Sequence, residues 1–543
     1  MEANVLRPAH CTDALGAAIA INSQGCSWQV SHPDLGPIDR GEVSFAEAFP
    51  DVAGKGWLDC GTGDVITAPM LFVEALELIL KQMAESKRFS IQKISCLAGA
   101  AQQHGQVLVT PAFGERLRKL DPCRTMAEQL RDAFARPWST TWMNSSTADD
   151  CAAFADYLPG GAADIAAVTG SMPTPRFFGP ALRAIARMEC GYWGRCRKVL
   201  LISNFGASLL LGRVAPLDYS DASGGNVLDL RRRCWSPEIL AAFEKDAPNI
   251  AVLLPDVVAS DQILGRLSPY LVERFGFHPS TLVLPWAGDN ADSLLGVGVF
   301  DPKRCVRVIS KGTSETEFCL LPPGTYCDPT GAGSVFAAVT EAQQNMGINT
   351  RRNATLALEA VKHRHRIANW DEFSECLHRT PPANHGKYMI GLFRPEIVPR
   401  TSVPIVEYHG GLTNEQTDAE VRAIVESTAM IRQIHNCWMG PPAALYLATG
   451  GGSVNREILQ VEADVAGVSF FMPTTGDSVV NGGCIRAMHS VAPMTYTWEY
   501  LTARHCEPGT EIKPQSSGVY GDLKRMFEVS LDQALALHGR STS

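Results

Sequence analysis

The 543-residue chain has no surplus of positive charge: 48 Lys and Arg stand against 57 Asp and Glu, a formal net charge of −9. It lacks the cationic excess that supplies sequence-independent affinity for a phosphate backbone, so neither nucleic acid nor an anionic membrane is an expected partner. No stretch approaches the roughly 20 apolar residues of a membrane-spanning helix; even Val199–Leu211 is interrupted by Ser203 and Asn204. The 16 cysteines form no CxxC pair and no Cys/His spacing of a zinc site, a pattern expected of reduced thiols in a cytoplasmic protein. The brief apolar run Ala14–Ile21 follows the acidic Glu2 and Asp13 and precedes no small-residue cleavage pattern, so it reads as a strand and not a signal peptide. Short internal repeats and low-complexity tracts are missing, so any domain duplication is old and structural. Neither GxGxxG nor a Walker string occurs, so a Rossmann dinucleotide site and a P-loop are not indicated.

What is present is apolar material for large cores. The chain is 45% hydrophobic and 19% charged, and its length exceeds what one core organises. Two mixed α/β lobes are expected, with a boundary at Asp301-Pro302 dividing residues 1–300 from 301–543. In the first part, Leu15–Ile21 and Trp28–Ser31 read as opening strands, and an amphipathic helix over 68–83 places Phe72, Leu76, Ile79 and Met83 near one face. Ile94–Ala100 reads as a buried strand delivering Gln102, Gln103, His104 and Gly105 at its carboxyl end, where α/β folds place ligands. Ser236-Pro237 starts a helix running to about Lys245. Thr281–Leu284 reads as a strand whose Gly288-Asp289-Asn290 end opens a helix from Asp292.

In the second part, Val306–Ser310 and Glu315–Leu321 alternate as a hairpin with Lys311-Gly312-Thr313-Ser314 as its turn. Near the end, strand Ala444–Ala448, turn Gly450-Gly451-Gly452-Ser453, helix Asn455–Val465 and strand Val468–Met472 make a βαβ unit with a glycine-rich corner.

Each polar constellation has two readings. The glycine corner lets a ligand approach the backbone at a helix N-terminus, or it is merely a turn. Gly312-Thr313-Ser314 wraps phosphate oxygens or is an ordinary hairpin turn. Asp289 is a general base at a strand end or a helix cap. His104 hydrogen-bonds a polar substrate or satisfies a strand end.

Their order along the chain, together with longer strings, resembles the FGGY carbohydrate kinases and, among them, the xylulose kinases of eukaryotic type. The strings are Leu97–Gly105, Trp142–Thr147, Ala207–Gly212, Pro216–Gly224 (with Asp218-Tyr219-Ser220-Asp221), Gly288-Asp289-Asn290, Lys311–Thr316 and Ala448–Gln460 (with Asn455-Arg456-Glu457-Ile458-Leu459-Gln460). The resemblance as a whole covers about Gly56 to His489. The resemblance implies a two-lobed, actin-like or ribonuclease-H-like α/β sugar kinase ATPase fold with a central cleft. It implies ATP-dependent phosphorylation of D-xylulose to D-xylulose 5-phosphate with Mg2+, by a monomer or homodimer. In that family, the position matched by Asp289 takes the proton of the accepting hydroxyl, and those matched by His104 and Asn290 hold the sugar. Gly312 and Thr313 match the phosphate hairpin. Trp370 matches a residue beside the nucleotide, and Gly451, Gly452 and Asn455 match the nucleotide corner.

The chain departs from the family pattern at several places. Ungapped alignment from Leu15 puts Ala9 where the first phosphate loop has a metal-handling aspartate, with Cys11, Thr12 and Asp13 following, so the metal ligands are left unassigned. Met172 stands at an Arg position and Asn144 at an Asp position, with Arg176 nearby. Residues 331–364 match poorly. The alternatives these departures leave open are a kinase-fold protein that binds sugar or nucleotide with little turnover, and a kinase for another pentulose or polyol.

Overall fold

A computed structural model of the chain describes residues 14–49, 56–472, 476–507 and 509–538. The positions discussed above as a first phosphate loop, Ala9, Cys11, Thr12 and Asp13, lie outside the described residues. The chain divides into two compact units. One comprises Met1–Phe300, Val335–Asn345 and Gly476–Cys506; the other comprises Asp301–Ser334, Met346–Thr475 and Glu507–Ser543. The second unit begins at Asp301, and the chain then returns to the first unit twice, the second time with the helix Ser478–Val491.

The first unit is built on a six-stranded sheet. Its order is Gly265–Arg266, Leu282–Gly288, Ile94–Ala101, Leu15–Ile21, Gly25–His32 and Gly36–Ser44. Strand Ile94–Ala101 lies parallel to both of its neighbours, with Ala101 opposite Ile21 on one side and Gly288 on the other. Three strand ends therefore finish side by side, and two of them run directly into His104 and Asp289. Side-chain alternation along these strands fills two separate layers. Leu97, Val283 and Trp286 face a core with the helices Pro69–Glu85 and Ile202–Leu211. Cys96, Ala98, Leu282 and Leu284 face the other way, onto Ala487 of the helix Ser478–Val491.

The amphipathic segment forms the helix Pro69–Glu85 and buries Phe72, Leu76, Ile79 and Met83, as its spacing predicts. Ser236 caps the helix Pro237–Phe243, its hydroxyl accepting from the Ile239 amide at 3.3 Å. One expected boundary is displaced. The helix after the Gly-Asp-Asn string starts at Asp289 and not at Asp292, because extended Gly288 already occupies the N-cap position.

The second unit has a mixed sheet running Asn345–Arg351, Glu315–Leu320, Val306–Lys311, Leu445–Thr449, Phe470–Met472 and Thr510–Ile512. The expected hairpin is present, with Lys311 opposite Glu315. The βαβ unit is present too: Leu445–Thr449 lies parallel to Val306–Lys311 and to Phe470–Met472, joined to the latter by the helix Arg456–Ala466. The poorly matching stretch 331–364 forms regular elements, the strands Ser334–Ala337 and Asn345–Arg351 and the helix Thr355–Arg364. The helices Trp370–Arg379 and Thr417–His435 pack in one apolar cluster with Val461 and Phe527.

Among the described residues, no helix is long and apolar enough to cross a membrane, and the cysteines are unpaired.

Candidate active site

Asp289 opens its helix directly at the end of strand Leu282–Gly288. One carboxylate oxygen, Oδ1, accepts from the Asn290 amide at 2.8 Å and from Asn290 Nδ2 at 3.1 Å. The same Nδ2 also reaches Gln103 Oε1 at 3.3 Å, which ties Asp289 to the turn carrying His104. Burial pushes the Asp289 carboxyl up to about 6 against the pull of these amides, and the charges of Asp477 and Asp292 push the same way. A carboxylate in that range is ionised at neutral pH yet basic enough to take a proton.

His104 follows the end of strand Ile94–Ala101, with φ +76. Its ring stacks on Phe177 at 4.7 Å, and Nδ1 lies 3.0 Å from the Gly224 carbonyl. A carbonyl only accepts, so Nδ1 carries the proton and Nε2 keeps a lone pair for a hydroxyl donor. Burial, and then the charge of Arg176, push this ring down to about 3, so it stays neutral.

Beneath these groups lies a polar network built from the Asp218-Tyr219-Ser220-Asp221 string. Asp218 Oδ2 accepts from Ser260 Oγ at 2.5 Å, and Asp218 Oδ1 accepts from the Ser220 amide at 2.7 Å and from the Ser220 hydroxyl. Ser220 Oγ in turn accepts from the Gly288 amide at 3.1 Å, which fixes the residue before Asp289. Asp221 is fully buried, with Oδ2 accepting from Ser203 Oγ at 2.5 Å. Its pKa is pushed up to about 8 by burial, opposed by the Ser203 hydroxyl and reinforced by Asp218 and Asp289, so it holds its proton at neutral pH. The unit thus brings His104, Asp289 and Asn290 together through Gln103.

The remaining candidate residues are gathered in the second unit. Gly312 and Thr313 are exposed at the hairpin turn, which is closed by the Gly312 amide donating to the Ser314 carbonyl at 3.0 Å. Gly450 has φ +82, and a Cβ there would lie 2.7 Å from the Lys311 carbonyl, so only glycine lets the corner close against the hairpin. A Cβ on Gly451 would meet nothing within 4 Å, so that stretch of backbone faces open space. Asn455 caps the next helix, accepting from the Ile458 amide at 3.0 Å, and its Nδ2 donates to Ser374 Oγ at 2.9 Å. Ser374 donates to the Trp370 carbonyl at 2.9 Å, so one hydrogen-bond chain links Asn455 to the start of the Trp370 helix. Trp370 is half-buried, edge-on to Phe373 at 5.3 Å, with Lys362 Nζ 5.9 Å from its ring centroid.

Under the hairpin and corner sits a buried ion network. Lys311 Nζ reaches Glu462 Oε1 at 2.6 Å and Glu315 Oε2 at 2.9 Å. Arg432 reaches the same two carboxylates at 3.2 Å each, and Arg351 reaches Glu315 at 2.9 Å. Although burial opposes ionisation, Lys311, Arg432 and Arg351 hold the Glu315 carboxyl well below the usual range. No local pattern announces such a cluster, since its members come from three strands and two helices. Among the described residues, no group of three or more His, Cys, Asp or Glu is placed to hold a metal ion.

A profile described as the FGGY family of carbohydrate kinases, N-terminal domain, matches residues 139–296. The chain is 32% identical over 496 residues to xylulose kinase 2 of Arabidopsis thaliana, covering 88% of this chain and 87% of that protein. It is 33% identical over 470 residues to xylulose kinase of Rattus norvegicus, covering 84% and 85%. Its fold matches that of the ligand-bound xylulose kinase from Lactobacillus acidophilus with a TM-score of 0.80 at 14% identity, over 97% of this chain and 99% of that one. The fold is thus the two-domain α/β fold of the sugar kinases, and with relatives a third identical over most of its length, the chain belongs to the FGGY family of carbohydrate kinases.

Proposed function

We propose that the protein transfers the γ-phosphoryl group of ATP to D-xylulose, giving D-xylulose 5-phosphate and ADP. The observation that carries this is Asp289: a carboxylate at a strand end, held through one oxygen by Asn290 and raised to about 6 by burial, in a chain a third identical to two proteins named xylulose kinase. In the reaction, the acceptor oxygen forms a bond to the γ-phosphorus as the bond from that phosphorus to the β,γ-bridging oxygen breaks. Asp289 takes the hydroxyl proton. His104 Nε2 accepts from a sugar hydroxyl, and the Asn290 amide holds the base and the sugar. Positioning carries most of the catalysis in phosphoryl transfer, and a general base adds about two to four orders of magnitude.

In this reading the first unit serves the sugar and the second the nucleotide. The open backbone at Gly451, beside Gly452, and the exposed turn at Gly312 and Thr313 suit phosphate oxygens. Trp370 and Asn455 suit the nucleoside. Mg2+ supplies charge neutralisation when it arrives with the nucleotide; the described residues offer it no carboxylate cage. We place the enzyme in the cytoplasm, without nucleic acid or membrane partners, on the strength of its thiols and its net charge of −9, and take it as a monomer or homodimer on its likeness to the family alone.

The test is ADP release by the purified protein with ATP and Mg2+, with and without D-xylulose, beside a panel of other pentuloses and polyols. Xylulose-dependent release is expected. Release with another acceptor alone would reassign the substrate. Silence throughout, with ATP or sugar still raising the Tm, would leave a binding protein on a kinase fold.

A further inference from the structure

Arg486 lies on the helix Ser478–Val491, 194 residues from Asp292 in sequence. Its side chain is fully buried, and all five of its N–H donors are used. Nε and Nη2 chelate Asp292 Oδ1 and Oδ2 at 2.9 Å each. Nη1 donates to the carbonyls of Ser260 and Pro285 at 2.8 Å each, and Nη2 donates to the Gly99 carbonyl at 2.8 Å. Each of these acceptors belongs to an element that delivers part of the sugar side. Asp292 is on the Asp289 helix. Pro285 is three residues before Gly288, Gly99 is on the strand leading to His104, and Ser260 donates to Asp218.

The Arg486 helix also touches the Asp289 helix backbone to backbone. A Cβ on Gly482 would lie 1.9 Å from the Asp292 carbonyl, and a Cβ on Gly296 would lie 1.8 Å from the Ser478 carbonyl. Asn481 Nδ2 donates to the Gly296 carbonyl at 2.8 Å, and the Ser293 and Ser478 hydroxyls meet at 2.7 Å. Such close packing fixes the spacing of the two helices.

We infer that Arg486, through its bidentate pair with Asp292, is a positioning residue that sets where Asp289 and His104 stand relative to each other. The inference rests on Asp289 being the base. A planar fork with five fixed donors satisfies four separate segments at once; the three donors of a lysine cannot. The arrangement also sets the charge that Asp289 senses. The titratable groups around Asp289 are Asp292 on its own helix, Asp477 at the start of the Arg486 helix, and Asp221, with Arg486 the cation bound to Asp292.

The test compares full-length Arg486→Lys, Asp292→Asn and Asp289→Asn with wild type, by steady-state kinetics with ATP and D-xylulose across pH and by the Tm shift with ATP. Arg486→Lys and Asp292→Asn are expected to keep the ATP-induced Tm shift and both KM values within about threefold, and to lose about a hundredfold in kcat, the cost of a misplacement of about 1 Å. In Asp292→Asn, a charge that raises the Asp289 carboxyl is gone, so the acid limb of kcat moves to lower pH; in Arg486→Lys it stays. Were Arg486→Lys to unfold, Asp292→Asn would decide by the same readouts; were both to unfold, the pair would serve the fold alone and the inference would fail. It also fails if the folded variants keep kcat within twofold of wild type, or lose kcat and both KM values together in step with Tm. An Asp289→Asn variant as fast as wild type would instead remove the base itself, whatever Arg486 does.

Discussion

Replacing Asp289 by asparagine should exchange activity for stability, and the size of the gain follows from the carboxyl's surroundings. Burial raises this group from 3.8 to about 6 in the folded protein, and each pKa unit is worth about 1.4 kcal/mol. Full expression of that shift destabilises the ionised folded state by about 3 kcal/mol; the side chain keeps some exposure, so a gain of about 1–3 kcal/mol is expected in Asp289→Asn at pH 7.5. The sign follows from proton uptake. Below about pH 4 the carboxyl is protonated in both states and contributes nothing. Between about pH 4 and 6 the unfolded chain releases the proton before the folded one does, so wild-type stability falls as pH rises, and above about 6 the penalty is constant. Urea unfolding of both proteins at pH 7.5 and 5.0 measures this, with the advantage of the variant roughly halved at the lower pH. A variant no more stable than wild type at pH 7.5, or one whose advantage is the same at both pH values, would refute the desolvated carboxylate.

Three further outcomes are expected. The kcat should fall as pH drops through about 6, while KM for D-xylulose stays level from about pH 5 to 8 because His104 remains neutral there; a KM that climbs below about pH 6.5 would mean a charged ring at the sugar. Gly482→Ala forces apart two helices whose backbones leave no room for a methyl, so thermal melts should show a loss of about 1–3 kcal/mol despite the helix propensity gained, and an unchanged Tm would refute the close contact. Lys311→Met leaves Glu462 and Glu315 short of a buried cation, which should cost about 3–5 kcal/mol in urea unfolding. Because Gly450 and Gly452 pack on Lys311, KM for ATP should rise as well; stability within about 1 kcal/mol of wild type would show the network to be dispensable.

The local elements were legible because their causes are local. Period-3.6 spacing in Pro69–Glu85, a hydroxyl before proline at Ser236, alternation across the Lys311–Glu315 hairpin and glycines before the Asn455 cap all act within a few residues. The Asp289 helix starts three residues before the expected Asp292, since extended Gly288 ends the strand and caps the helix at the same residue.

By itself the sequence determined the element types, the strings that mark the family, and the residues Asp289, His104 and Asn455 as candidates for chemistry. Only the tertiary structure decided which of these meet and in what charge state. It brought Asp289 to the Gln103-His104 turn, removed the water that would have kept the carboxyl near 3.8 and the imidazole near 6.5, and closed the Arg486–Asp292 and Lys311–Glu462 pairs across 194 and 151 residues of chain. Propensity and capping are short-range, whereas desolvation and ion pairing depend on what folding packs around a group, so no window of sequence contains them.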